Sequence, residues 1–275
     1  MSRRGDTIPG RSIALGTTLV LVAAVVVVPL AALGLALHGV TPASFADAVL
    51  APRALAAFRL TIGSALAASL VDVGIGLFVA WVLVRYRFPG RAVLDALVDV
   101  PFALPPAVTG ITLAALYGAN GAFGRILEAH GIHVAYTPIG IGIALIFVAF
   151  PFVVRTVAEP LAQLPAALGE AAASLGASEF TTFVRVTLPL LAPALLTAFT
   201  LALARTLGEY GSVIFIAGNI PGRTEIAPLL IVTRLEEYDY AGAAAIAIVL
   251  LALSFAMLLA INALQRRMTL ARTAL

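Results

Sequence analysis

Arg205 and Glu209 lie four residues apart inside an otherwise apolar stretch, so their charges have to be used or neutralised there. An ionised group deep in hydrocarbon costs about 3 kcal/mol or more unless it faces protein or water. The spacing puts both on one helical face, although arginine ahead of glutamate is the less favourable order for such a pair. Two roles are open to them. They form part of the wall or gate of a polar pathway, together with the adjoining Tyr210, or they are a neutralised structural pair. Asp72, isolated in a second apolar stretch, is a candidate partner for Arg205, because counting inward from the same side brings both to similar depth.

The other polar groupings offer no catalysis. Asp95 and Asp99 share the i, i+4 spacing, but they precede Pro101, Pro105 and Pro106 and suit the wet face of an amphipathic helix. His130 and His133 have helical i, i+3 spacing with no acidic residue to complete a metal set, and His38 stands apart. The chain has no cysteine, which excludes a disulfide framework, thiol catalysis and thiolate metal ligation. All of its basic residues are arginine, so no phosphate-loop lysine is available and any ATP chemistry must come from another polypeptide. Neither a Gly-x-Ser-x-Gly elbow nor a His-Glu-x-x-His helix occurs. The chain reads as no enzyme.

The elements that position these residues follow from composition. A chain of 275 residues that is 61% hydrophobic and 11% charged, with mean hydropathy +1.07, cannot hide its apolar surface in one soluble core. Lipid is the solvent it fits. Six apolar runs, at about 13–36, 60–84, 101–117, 138–154, 190–215 and 241–264, are candidates to cross the hydrocarbon. The first is too long for a cleaved leader, although Arg3, Arg4 and Arg11 precede it, and is expected to be retained.

Arginine also sets the sidedness. Arg3, Arg4, Arg11, Arg85, Arg87, Arg91, Arg155, Arg185, Arg266, Arg267 and Arg272 fall on one side of a six-span chain. Only Arg53, Arg59, Arg125, Arg223 and Arg234 fall on the other, with Arg205 inside a span. Positive charge in short loops marks the cytoplasmic side, so both termini and the gap after the fourth run are expected there. The net charge of +3 then needs no nucleic acid.

That cytoplasmic gap carries the most specific pattern. Residues 165–175 are mainly Ala, Leu and Glu, which predicts a short helix beginning at Pro165. Gly176 permits a left-handed turn, and Ser178 can cap a second helix through about residue 186, ending at Leu188-Pro189. Two short helices joined at glycine make a rigid knob continuous with the fifth run. The outer segment 218–240, opened by a Gly-Asn-Ile-Pro-Gly turn, is apolar but too short to cross and is expected to dip back or lie at the surface as a gate.

The order Glu170-Ala171-Ala172, three residues, Gly176, nine residues, Val186-Thr187-Leu188-Pro189 resembles the signature loop of permease subunits of bacterial ABC importers, with Val186 where Ile is usual. The segments 205–219, 225–231 and 237–242 resemble sulfate and thiosulfate permeases of the T or U type, with molybdate permeases as close relatives. The resemblance implies an all-α, six-span transmembrane bundle of the type I importer kind with a cytoplasmic helical coupling loop. By the same resemblance Glu170, Ala171, Gly176, Leu188 and Pro189 dock into an ATPase. The implied partners are a second related permease, an ABC ATPase dimer that binds the ATP and Mg, a periplasmic sulfate-binding protein and membrane lipid, all at a bacterial inner membrane. This chain would itself carry no cofactor. It would divide into a tail, first span and outer loop over 1–55, a permease domain over 56–264 with its coupling loop at about 160–189, and a tail over 265–275. A molybdate or tungstate permease is the alternative within the class. An ion-coupled secondary transporter is the alternative outside it, and no internal repeat supports that reading.

Overall fold

In the computed structural model, which describes residues 11–273, the chain is helical and contains no strand among the described residues. Arg3 and Arg4, part of the sidedness argument, lie outside them. Five helices are long and apolar enough to cross a membrane: α1 (Ile13–Leu35), α3 (Pro52–Arg85), α6 (Pro138–Gln163), α8 (Glu179–Leu207) and α11 (Tyr240–Thr273). Between them come α2 (Pro42–Leu50), α4 (Arg91–Val98), α5 (Pro106–Tyr117), α7 (Ala166–Ser174), α9 (Val213–Ala217) and α10 (Ala227–Glu236).

The core is α3, α6 and α8 packed against one another, and small residues let the three approach. Ala65, Ala80, Ala149, Ala198 and Ala202 are wholly buried. A Cβ on Gly76 would lie 2.5 Å from Val153 Cγ1, so only glycine lets α6 pass that point. Ala68 clusters with Ile141 and Leu145, and Ala80 with Val153, so α3 and α6 run in the same direction. Ala65 clusters with Leu203 and Leu207, whereas Ala80 clusters with Ala198, so α8 runs in the opposite direction. By contrast, α1 buries no residue in the protomer and leaves its apolar surface to lipid or another chain.

Two of the six apolar runs are broken. The run at 101–117 is split between a short helix, Val100–Ala103, and α5, and the 12 residues of α5 are too short to span the hydrocarbon alone. Leu104 and Pro105 are extended there, as a residue followed by proline prefers. The run at 190–215 ends as a helix at Leu207, and the chain turns at Gly208 before α9 begins. The expected stop at Leu188-Pro189 does not occur. The second loop helix passes through a π-helical turn, Phe183–Thr187, into the membrane helix without interruption. Proline at the first turn after that wider turn lacks only an N–H that the ladder does not need.

Candidate functional site

The loop between α6 and α8 is built as its residue types direct. Pro165 precedes the first turn of α7, and Gly176 has φ +79°, the left-handed region that glycine enters without a Cβ penalty. Gly176 N donates to Ala173 O at 2.9 Å and Ala177 N to Ala172 O at 3.0 Å, a Schellman termination of α7. Ser178 Oγ accepts from Thr181 N at 3.2 Å and caps α8. The result is a knob with Glu170 and Ala171 on its open surface, flanked by Leu175 at 87% exposure and Phe180 at 75%. Apolar side chains that exposed on a rigid turn suit a protein partner. Leu188 and Pro189 sit where the knob joins the membrane part of α8. An open cleft of about 510 Å³ separates α7 from the end of α3, lined by Trp81, Arg85, Glu170 and Phe183 among others.

The second cluster lies where α8 breaks. Arg205 Nη1 meets Glu209 Oε2 at 2.5 Å, while Glu209 Oε1 accepts from Ser212 N at 2.9 Å and from Ser212 Oγ at 2.8 Å. Glu209 therefore does two things: it neutralises Arg205 and it holds Ser212, the residue from which α9 starts. The Arg205 side chain is 34% exposed and that of Glu209 only 3%, so the arginine presents the open side of the pair. Tyr210 packs against the buried cluster of Leu113, Ile141 and Val213. Close fit holds the break against α5, since a Cβ on Gly211 would lie 2.7 Å from Pro106 Cβ.

The proposed Asp72–Arg205 pair does not form. Arg205 is taken by Glu209, because the turn at Gly208 swings that carboxylate back onto the guanidinium. Asp72 is wholly buried in α3, and neither of its carboxylate oxygens has a hydrogen-bond partner.

Asp95 and Asp99 keep 50% and 47% of their side-chain surface exposed, as a wet face requires, and both also bind Arg155. Asp99 takes two bonds from Arg155, at 3.0 Å from Nε and 2.7 Å from Nη2, and Asp95 Oδ1 takes Nη1 at 2.6 Å. The expected fourth run stopped short of Arg155, but α6 continues through Pro151 and Pro160 to Gln163, so this arginine anchors α4 to the bundle. One arginine at the end of an apolar run, with Asp-x-x-x-Asp elsewhere, is the signal that could have found the clamp.

The segment 218–240 folds back onto the helical bundle. Ala227 to Leu230 of α10 are buried, and so is Glu225, whose side chain is 0% exposed and accepts Arg53 Nε and Nη2, each at 2.7 Å. Ala227 N donates to Thr61 Oγ1 at 2.7 Å. Arg234 meets Asp239 at 3.2 Å and Glu237 at 3.6 Å. His133 Nδ1 lies 2.9 Å from Glu128 Oε1, and no group of three potential metal ligands exists among the described residues.

Residues 72–270 match the family described as the binding-protein-dependent transport system inner membrane component. The chain is 47% identical over 266 residues to the sulfate transport system permease protein CysT of Salmonella typhimurium, covering 97% of this chain and 95% of that protein. The CysT protein of Synechocystis is 44% identical over 249 residues, with 90% and 87% covered. Among solved structures, a bacterial ABC transporter that imports the acidic polysaccharide alginate superposes with a TM-score of 0.77 at 16% identity, over 93% of this chain and 94% of that one. A bacterial alginate ABC transporter in complex with an alginate pentasaccharide-bound periplasmic protein gives 0.76 at 18% identity, with 94% of each chain covered.

Proposed function

Because the chain belongs to the family of binding-protein-dependent transport system inner membrane components, we propose that it is the permease subunit of an ATP-driven sulfate or thiosulfate importer. The observation that carries this reading is the knob at Glu170–Pro189: a rigid, capped helix pair, apolar at its tip and continuous with a membrane helix, on a chain nearly half identical to CysT along most of its length.

The chain supplies one half of the translocation pathway and a related permease supplies the other. It crosses the membrane six times, α5 with the segment before it forming the third crossing, and both termini lie in the cytoplasm. The Glu170 knob enters a groove on the ATPase, with Glu170 making polar contacts, Ala171 giving close approach and Gly176 setting the bend. Leu188 and Pro189 fix the knob on α8. ATP and Mg belong to that partner, and a periplasmic sulfate-binding protein delivers the anion to the outer face. ATP-driven closure of the ATPase dimer draws the knobs together and opens the pathway outward, and hydrolysis resets it.

Arg205, Glu209 and Tyr210 line or gate the pathway. Sulfate is a strongly hydrated dianion, and a bare arginine midway would hold it too long, whereas conduction needs weak binding. An arginine whose charge is already offset by Glu209 suits transient contact. The test is uptake of labelled sulfate by vesicles carrying the complete complex. Glu170→Lys is expected to leave the chain inserted but to lose both the ATPase on purification and uptake. Normal ATP-driven uptake in that variant would overturn the docking assignment.

A further inference from the structure

Resting on the reading of the Glu170 knob as the ATPase contact, we infer that α3 is a second transmission element, a rod that carries the knob's movement to the outer gate, and that Trp81 is the positioning residue at its cytoplasmic end. The covalent route from the knob runs up α8, but α8 stops at Leu207, and the turn at Gly208 to Ser212 separates it from everything on the outer side. No such break occurs in α3. It is one helix of 34 residues, and at a rise of about 1.5 Å per residue it spans about 51 Å.

Both ends of that rod are fastened to the moving parts. At the cytoplasmic end the Trp81 ring meets Phe183 of the knob edge to face, with centroids 5.1 Å apart. Arg85 lies over the same ring, its Cζ 5.5 Å from the centroid, and its Nη2 reaches Leu161 O at 3.5 Å. This contact joins α3 to the second loop helix at the edge of an open cleft, which leaves the knob room to shift beside it. At the outer end, α3 holds the start of α10 by the two Arg53–Glu225 bonds and by Thr61 Oγ1, which accepts from Ala227 N. Ala54, Ala57 and Phe58 pack with Ala227 and Leu230 in one buried cluster. A displacement of α3 thus has to move α10, whose first turn is locked to it by charge, backbone hydrogen bond and apolar contact together.

The chain contains no cysteine, so Glu236→Cys at the exposed end of α10 accepts a single spin label. In the complete complex, with partners free of reactive cysteine, ATP is expected to shift the label's spectrum. Trp81→Ala is expected to abolish that shift and to lower coupled uptake about tenfold, the scale of one aromatic pair, while ATPase co-purification stays intact. Trp81→Phe, which keeps a ring edge, restores both. A normal label shift in Trp81→Ala, or no shift in the parent chain, overturns the proposal. If Trp81→Ala fails to assemble, Phe183→Leu keeps apolar bulk and is held to the same outcomes. The underlying reading fails separately: Glu170→Lys would then retain its ATPase whatever Trp81 does.

Discussion

The Arg53–Glu225 pair makes an asymmetric prediction, because its two members are buried to different extents. Glu225 has no exposed side-chain surface, whereas Arg53 keeps a third of its own. Arg53→Met leaves a buried carboxylate without its two charged donors, and breaking a buried pair in this way costs about 3–5 kcal/mol. At roughly 2 °C per kcal/mol for a chain of this size, the melting temperature should fall by roughly 6–10 °C. Glu225→Gln leaves a neutral amide that still accepts a hydrogen bond and an arginine that can turn to water. Its cost is that of a weakened charged hydrogen bond, about 1–2 kcal/mol, or roughly 2–4 °C. The double variant Arg53→Met with Glu225→Leu removes both desolvation penalties and should recover most of the loss. Thermal unfolding of the detergent-solubilised chain, followed by far-ultraviolet circular dichroism, measures all three. Equal falls in the two single variants, or a double variant as unstable as their sum, would refute the idea that the uncompensated Glu225 charge dominates.

Three further outcomes follow from the same geometry. Gly176→Val meets no neighbour, but its φ of +79° costs a β-branched residue about 1–2 kcal/mol, so the knob should lose its bend and the complex its ATPase on purification, while the chain stays inserted; retained ATPase would show that the bend is dispensable. Asp72→Asn replaces a wholly buried carboxyl group that has no hydrogen-bond partner and should hold or raise the melting temperature; a fall of more than about 5 °C would show that the carboxyl group is held by something. Arg155→Ala unfastens α4, so amide exchange across 91–99 should accelerate while that of α6 stays slow; unchanged protection would mean that the clamp does not hold the helix.

The sequence alone determined the solvent, the helical class and the knob. Those rest on local chemistry: apolar runs of spanning length, a glycine where the backbone must turn left-handed, and a serine where a helix must begin. The Glu-Ala-Ala to Leu-Pro spacing added the family, and a relative 47% identical over 97% of the chain agrees with it. Tertiary structure decided which charges pair. Arg205 binding Glu209 instead of Asp72, Arg155 gathering Asp95 and Asp99, and Arg53 reaching Glu225 across 172 positions all depend on where helices stop and how they face one another. It also decided that the fifth apolar run breaks at Gly208, because hydropathy registers how greasy a stretch is and not whether its backbone stays straight. The i, i+4 spacing of Arg205 and Glu209 did offer that pair, but an ion pair between helices is chosen by distance in space, and for such pairs sequence spacing carries almost no information.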